Sequence, residues 1–415
     1  MGEPTRTHPL PVLPGWPPLP GEVVQSEPMV RYACNQKGCC CRGWQIRFSV
    51  DDFIRLHEHL PEPDRSDLAR GLHLLLDDEH DEPGRQAVLH SLRLGTVGED
   101  ERCRFLEGEG GCKVHAAQGL VALPDLCVDF PAAGFRTPDH AAVELWWDPI
   151  CPEVLRQLDE SDAPLTLHRA PPPPVPDLSQ PVRTPAEGFA FRVRNAREAP
   201  QPRVGDTPVT RAELEHIRET SLRALHHPTR AAWRSLFAVA TGFRDLRPGR
   251  ALDFQCPEPE DAGLFLRHLW SCIGANGARI LASALLRYRR FVHAVDLGPA
   301  LEDVPRLVAA LEGWPKAFER RLGHREDALR PLQLRYLAHR FGMPYVNQDG
   351  ELRTAADTIL FTFATSLRFA AALGDLLDRD VDRPLYQVAV GVSEHFWRSV
   401  EVPADLLPWY CAAAV

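Results

Sequence analysis

Cys34-Asn-Gln-Lys-Gly-Cys39-Cys40-Cys41 is the densest run of reactive side chains in this 415-residue chain. Four more cysteines follow at wide spacing, so that eight of the eleven fall within the first 151 residues: Cys103, Cys112, Cys127 and Cys151. Thiols gathered in this way form either a disulfide framework or a soft-metal site. The choice between these two decides how the first third of the chain folds and what it does.

The N-terminus indicates the compartment. Residues 1–22 contain no apolar signal core and no cleavage-like site, so we expect a cytoplasmic protein. Clustered cysteines in a reducing cytosol are more often metal ligands than disulfides. The apolar stretch Thr358–Leu367 is only ten residues long before Arg368, which predicts no membrane span. A net charge of −10 argues against a nucleic-acid partner.

Composition divides the chain into four predicted parts. Residues 1–28 are a proline-rich segment, 29–168 a cysteine-cluster metal-binding domain, 169–208 a proline-rich linker and 209–415 a helical domain. The predicted fold class is mainly α (α+β). A small cysteine-rich domain with short strands precedes a larger all-helical domain.

Local patterns predict the individual elements. A capping box at Ser49 opens a helix through Leu60, and Thr210 begins another. Further elements are predicted as helices Asp67–Asp78 and Glu153–Leu158, and as strands Ala87–Leu94, Ala142–Trp147 and Gly188–Val193. The C-terminal helices are predicted at 209–227, 229–241, 261–296, 302–322, 326–341, 354–379 and 383–400.

The spacing of the cysteines limits the kinds of metal site that they can form. Side chains of consecutive strand residues face opposite sides, so Cys39, Cys40 and Cys41 either lie on an irregular loop or have different roles. The second four cysteines have no tight C-x2-4-C pair, which suits an iron–sulfur cluster or a multi-loop site better than a zinc ribbon. His115 is either a further ligand or a hydrogen-bonded structural histidine. No strand–GxGxxG–helix pattern is found.

Four segments carry a resemblance to a known family. Cys40-Cys41-Arg-Gly-Trp44-Gln-Ile46 is similar to the CC-x-G-W segment of the flagellin lysine N-methylase family. The other three segments resemble its later motifs in order and spacing: Cys103-Arg-Phe-Leu106 with Gly111-Cys112-Lys-Val-His115, Cys127-Val-Asp-Phe130-Pro131, and Cys151-Pro152-Glu153. The match covers residues 31–160 and extends to the broader cysteine-cluster family described as zinc- or iron-chelating.

The resemblance implies a function. It implies a [4Fe–4S] cluster on the cysteine domain, S-adenosylmethionine as methyl donor, and a lysine ε-amino group of a protein or peptide as acceptor. This chain departs from the family because Cys34 precedes the cysteine triplet by only four residues. Either Cys39 replaces an intermediate ligand, or one ligand is lost.

The candidate site follows from this resemblance. All eight cysteines are candidate metal ligands. We expect seven in one pocket and four on the cluster, with Cys40 the one outside. Trp44, Phe130 and His115 are the candidate cofactor-lining residues, and Phe105 and Pro131 complete an apolar wall. The sequence assigns no catalytic residue.

Two other functions stay open. A long helical domain with no obvious catalytic dyad fits equally well a non-enzymatic protein whose cysteines bind zinc or mononuclear iron. A third alternative is a scaffold held by disulfides. Cys256, Cys272 and Cys411 are isolated and are interpreted as core or surface thiols. A group of arginines is interpreted as a solvated basic helix face or, as an alternative, an anion or partner site: Arg287, Arg289, Arg290, Arg320, Arg321 and Arg325.

Overall fold

The computed structural model describes residues 21–32, 46–62, 64–76, 89–94, 96–97, 102–107, 111–174, 185–194, 196–227, 230–244, 246–247, 282, 303–343 and 350–399. Within these ranges the protein is mainly helical with one mixed sheet, which confirms the predicted class of mainly α (α+β).

Short strands occupy the first half of the described chain. They are β1 Glu22–Ser26, β2 Ile46–Phe48, β3 Leu72–Leu76, β4 Leu89–Leu94, β5 Thr96–Val97, β6 Arg102–Cys103, β7 Leu106–Glu107, β8 Gly111–Cys112, β9 Ala132–Arg136, β10 Ala142–Trp147, β11 Leu167–Ala170, β12 Arg197–Glu198, β13 Arg203–Val204 and β14 Thr207–Pro208.

Helices alternate with these strands and then dominate the second half. They are α1 Val50–His59, α2 Asp64–Gly71, α3 Lys113–Gln118, α4 Asp125–Asp129, α5 Pro152–Leu158, α6 Pro185–Arg194, α7 Arg211–Leu225, α8 Ala232–Arg244, α9 Val304–Glu312, α10 Trp314–Arg321, α11 Glu326–Gly342, α12 Leu352–Leu376 and α13 Arg383–Ser399.

The largest sheet has the strand order β11-β1-β10-β9-β12. The pairs β1/β10 and β9/β12 are parallel, whereas β1/β11 and β9/β10 are antiparallel. All six residues of β10 are buried, as expected for a central strand covered on both faces. On one face Glu144 meets Arg218 of α7, and Trp146 stacks on His339 of α11. Trp147 faces the other way, because side chains alternate along a strand.

Apolar side chains form two clusters, which we call the main core and the second core. The main core runs from Val23 of β1 through Trp147 and Phe243 to Tyr386 of α13. The second core joins α1 and α2 to the turns around Cys103 and to α4, with Leu56, Leu68, Phe105 and Val128 among its members. The cysteine-bearing segments therefore pack against both cores.

Several predicted elements are confirmed at their ends. Ser49 and Asp52 form the capping box of α1, and Thr210 and Glu213 form that of α7. β10 has the bounds predicted for it, Ala142–Trp147. The C-terminal helices that lie within the described chain agree to within three residues at each end, apart from 302–322. The predicted helix 261–296 lies outside the described residues.

Three predicted elements are wrong. Residues 302–322 form two helices, because Gly313 ends α9 and Pro315 fits only the first turn of α10. The helix predicted at Asp67–Asp78 ends at Gly71, and Leu72–Leu76 pairs with β4 instead. Gly188–Val193 belongs to α6 rather than to a strand, because the helix packs on β9, with the carbonyl of Arg192 close to Gly134.

The range predicted as a linker, 169–208, contains sheet and core residues. Its described part supplies the end of β11, all of α6 and β12, and the hairpin β13–β14. Val193 and Val204 are buried in the main core.

Helix α12 is long and apolar enough to cross a membrane by length and composition. This differs from the prediction, because the helix continues on both sides of the ten-residue stretch Thr358–Leu367. However, 94% of its most apolar window is buried inside the protein, where α8, α9, α10 and α13 pack around it. Such burial is typical of the central helix of a globular core.

Candidate functional site

Four of the eight candidate cysteine ligands are described, and three of them lie where one element meets the next. Cys103 ends β6 and is buried, and Cys112 ends β8 directly before α3. Cys127 lies in α4, and Cys151 precedes α5 and is buried. These four sulfur atoms form no disulfide with one another. The location agrees with ligands carried on turns between short elements.

Three of these cysteines belong to the second core. Cys103 is one of its buried members, and Cys112 and Cys127 pack against it half-buried. Cys112 pairs with Leu106 in the β7/β8 ladder, and the Lys113 amide donates to the Phe105 carbonyl at 2.8 Å. These contacts hold Phe105 in a buried position. In the sequence Phe105 lies between Cys103 and Cys112.

Cys151 belongs to the main core and has an aromatic neighbour. The Oη atom of Tyr32 lies 3.6 Å from Sγ of Cys151, within hydrogen-bonding distance for sulfur. The Tyr32 ring packs on Trp147 with 4.5 Å between centroids. The Trp147 indole N–H donates to Oε1 of Gln25 at 3.2 Å, which holds this ring in place.

Cys127 and Cys151 flank the same end of the large sheet. Ala132, the first residue of β9, pairs with Trp147, the last residue of β10. Just beyond this pair the Asp148 amide donates to the Pro131 carbonyl at 2.7 Å, and the Cys151 amide donates to the Asp148 carbonyl at 3.0 Å. We call this region the Trp147 end of the sheet.

Both ends of the segment that carries the other four cysteines lie next to these elements. Tyr32, two residues before Cys34, contacts Cys151. β2, which begins five residues after Cys41, packs against α4, and α4 contains Cys127. Cys34, Cys39, Cys40 and Cys41 themselves, with Trp44, lie outside the described residues, as do Cys256, Cys272 and Cys411.

The described thiols alone do not complete a metal site. Within the described ranges, no group of three or more His, Cys, Asp or Glu side chains is placed to hold one metal ion. A cluster site at this position would therefore need sulfur from the segment 33–45.

The predicted cofactor-lining residues that are described lie on different elements. Phe130 directly follows α4 and packs half-buried against the main core. His115 lies within the first turn of α3, half-exposed, and its carbonyl accepts from the Gly119 amide at 2.8 Å. Pro131, predicted to belong to the apolar wall, is buried.

A buried histidine that the sequence analysis missed lies behind the Trp147 end of the sheet. The Nε2 atom of His339 is 2.6 Å from the Trp147 carbonyl oxygen, and Nδ1 is 2.7 Å from Oγ of Ser26. A carbonyl only accepts, so Nε2 carries the proton and Nδ1 accepts from the Ser26 hydroxyl. Complete burial lowers the pKa of His339 to about 4, so the ring is neutral at pH 7.

Arg340, the next residue on α11, belongs to a second group of buried polar side chains. Nε of Arg340 is 3.3 Å from Oε1 of Glu394 on α13, and the same oxygen accepts from the Tyr336 hydroxyl at 2.6 Å. The Arg340 guanidinium lies over the Trp146 ring at 5.1 Å. Tyr336, His339 and Arg340 occupy one face of α11 at i, i+3 and i+4. That spacing of polar residues within a leucine-rich helix was the available sequence signal.

The predicted basic face is partly neutralised. Arg320 donates to Asp375 at 2.7 Å, and Arg321 pairs with Asp378. Arg287, Arg289 and Arg290 lie outside the described residues. The ion pairs of Arg320 and Arg321 join helix α10 to the end of α12. This fits the interpretation of these two arginines as part of a helix surface.

No family model matches this chain, and no curated protein or solved structure shows significant similarity to it.

Proposed function

We propose that this protein is an iron–sulfur-dependent protein lysine N-methyltransferase that uses S-adenosylmethionine. The observation that carries the metal half of the proposal is the arrangement at the Trp147 end of the sheet. Cys127 and Cys151 flank this end. In the sequence, the segment with Cys34, Cys39, Cys40 and Cys41 connects Tyr32, which contacts Cys151, to β2, which packs against α4.

Covalent geometry strengthens this argument. Cys34 follows Tyr32 by two residues, which span at most about 8 Å of chain. Tyr32 in turn contacts Cys151, a residue more than one hundred positions away in the sequence. Cys103 and Cys112 are connected to the same region through the second core, which also includes Cys127.

The donor set fits a cluster of soft metal ions. Thiolates are the ligands that iron–sulfur clusters require, and an apolar shell limits solvent access to such a cluster. The Tyr32 hydroxyl is placed to donate to the Cys151 sulfur. When bound, a [4Fe–4S] cluster supplies either electron transfer or an open iron position that binds a polar ligand. As part of this proposal, the cysteine segments and the second core form a small metal-binding domain beside the larger helical domain.

The methyl-transfer half is supported by the resemblance of residues 31–160 to flagellin lysine N-methylases. In this reaction a neutral lysine amine attacks the donor methyl carbon, and a C–N bond forms as the S–C bond breaks. S-adenosylhomocysteine leaves, and the methylated ammonium loses a proton to solvent. Because a free lysine has a pKa near 10.4, the site must favour the neutral amine by burial or by a nearby cation. The expected acceptor is a protein or peptide in the cytoplasm.

The metal half is tested by anaerobic purification. We expect a brown protein with broad absorbance near 400 nm and with iron and acid-labile sulfide in equal amounts. Cys127→Ser and Cys151→Ser should each lose most of this absorbance. Cys272→Ser is the matched control and should keep it. A colourless protein in which all three variants resemble the wild type would refute the cluster.

The methyl-transfer half has a separate test. Mass spectrometry of total protein from cells with and without the gene should show lysine methylation that depends on the gene. Purified protein with radiolabelled S-adenosylmethionine should restore this methylation in extracts from cells without it. A brown protein that changes no lysine anywhere would leave the metal site but remove the enzyme.

A second candidate is a non-enzymatic zinc- or iron-binding protein. The observation that favours it is the position of Cys112 and His115, which begin α3 at a C-x2-H spacing. A thiolate and an imidazole are the ligands that structural zinc prefers. A colourless sample with stoichiometric zinc, and loss of zinc in both Cys112→Ser and His115→Gln, would favour this function over the first.

A further inference from the structure

Three buried N–H groups without an acceptor gather between β10, α11 and α13. Nε and Nη1 of Arg340 and Nε1 of Trp146 have no hydrogen-bond acceptor in the part of the chain that the structure describes. Arg340 is only 6% exposed and Trp146 only 4%. The guanidinium carbon of Arg340 lies 5.1 Å from the centre of the Trp146 ring. An unsatisfied buried donor destabilises the folded protein, so three at one place call for a functional explanation.

The charges around these donors select the kind of acceptor. Arg340 already has a carboxylate neighbour, since its Nε atom is 3.3 Å from Oε1 of Glu394. This contact cancels the charge of the guanidinium without satisfying its N–H groups, so a simple anion gains little attraction there. A ligand that carries both a carboxylate and an ammonium group matches the site, because it offers an acceptor to the donors and a donor to Glu394.

Glu394 makes both of its contacts in this group through one carboxylate oxygen. This oxygen, Oε1, accepts from the Tyr336 hydroxyl at 2.6 Å and faces Arg340. The second oxygen takes part in neither contact. The Tyr336 hydroxyl holds the carboxylate in place, because the tyrosine is completely buried.

We infer that Arg340, Trp146 and Glu394 form a binding site for the zwitterionic end of an α-amino acid. The ligand carboxylate accepts from Nη1 of Arg340 and Nε1 of Trp146, and the ligand ammonium donates to Glu394. This chemistry is shared by free α-amino acids and by the methionine end of S-adenosylmethionine. In the second case the site deepens the proposed function by naming the residues that hold the methyl donor.

Trp146→Phe removes the indole N–H group and tests its role in the site. The substitution keeps an aromatic ring beside Arg340 and His339, but this ring is smaller than the indole. We expect the ligand-free variant to be less stable than the wild type, because the smaller ring leaves a cavity in the core. We expect its affinity for the zwitterionic ligand to fall about tenfold, because one hydrogen bond to a carboxylate is lost, and its affinity for the decarboxylated form to stay the same. A variant that binds the zwitterion as tightly as the wild type, or that loses affinity for both forms equally, would overturn the inference.

Two pairs of ligands identify which molecule supplies the zwitterionic group. Calorimetric titration of the full chain compares S-adenosylmethionine with its decarboxylated form, and L-methionine with 3-methylthiopropylamine. Binding of the first member of either pair at least tenfold more tightly than the second supports the site. The pair that responds identifies the methyl donor or a free amino acid as the ligand. If neither first member binds, or if each decarboxylated form binds equally well, the inference is wrong.

Two arginine variants provide the matched control. Arg340→Lys keeps the charge but removes the planar fork, so we expect weaker binding of the zwitterion by tenfold or more. Arg368 on α12 is also buried and also has an unsatisfied Nη1. Arg368→Lys should leave ligand affinity unchanged. Equal loss of affinity in both variants would overturn the inference, because the effect would then not depend on Arg340. Because binding and lysine methylation are measured separately, failure of the proposed enzyme activity leaves this result unaffected.

Discussion

Neutral, buried His339 should make the stability of this protein depend on pH in a calculable way. Its pKa is about 4 in the folded protein, against about 6.5 in an unfolded chain. Below pH 6.5 the unfolded chain therefore binds a proton that the folded protein does not, so stability rises with pH across this range. The contribution is fully present above pH 6.5 and is lost as the pH falls toward 4.

The magnitude follows from the same two pKa values. Between pH 7.5 and pH 5.5 the linkage relation predicts a loss on the order of 1 kcal/mol from His339 alone. Protonation would also place a donor at Nδ1, which accepts from the Ser26 hydroxyl.

His339→Gln is the perturbation that isolates this effect. Glutamine does not titrate and can still donate an N–H to the Trp147 carbonyl. The free energy of unfolding is measured in urea at pH 5.5 and 7.5 for both proteins. We expect the wild type to lose more than the variant over this interval, by an amount on the order of 1 kcal/mol. His216→Gln, at an exposed position on α7, is the control and should follow the wild type. Equal losses in wild type and His339→Gln would refute the reasoning.

Three further predictions concern other parts of the fold. The Arg218–Glu144 pair is 1% and 2% exposed, so Arg218→Met should lower the free energy of unfolding by about 3–5 kcal/mol, and adding Glu144→Leu should restore most of it in the same urea assay. Thr210→Ala removes the capping box of α7 and should cost about 1 kcal/mol, whereas a loss below 0.3 kcal/mol, on the order of the assay error, would contradict the cap. Tyr32→Phe removes the hydroxyl beside Cys151 and should make the reduction potential of the proposed cluster more negative in a spectroscopic redox titration, whereas Tyr386→Phe should not change it.

Local sequence signals predicted much of the helical framework. Ser49 and Thr210 each precede an acidic residue at the third helical position, and both form the expected capping boxes. These signals are reliable because a capping box depends only on residues within one turn. β10 was also predicted with the right bounds, because a buried run of apolar and aromatic residues ends at a turn.

The wrong elements show where local patterns stop being informative. Leu72–Leu76 contains good helix formers, but its pairing with β4 decides its conformation. Phe189, Phe191 and Val193 alternate as in a strand, yet Phe189 and Val193 pack with the main core and Phe191 with the second core. A helix between two apolar clusters buries residues on both sides, so its pattern has no clear period.

The candidate site, too, was predictable from the sequence only in part. Cysteine order and spacing identified the thiols, because residue type alone determines which side chains bind soft metals. The contact of Tyr32 with Cys151, and the placement of Cys127 and Cys151 at one end of the sheet, join residues that are far apart in the chain. No local pattern contains that information, since it arises from strand pairing.

The amino-acid sequence by itself determined the mainly helical class, the starts of α1 and α7 and the identity of the thiols. Each of these depends on side-chain chemistry or on contacts within a few residues. Only the tertiary structure decided that His339 is neutral and that Arg340, Trp146 and Glu394 meet. Burial and charge pairing depend on which elements pack together, and an arginine or histidine in a helix looks the same in sequence whether it faces water or the core.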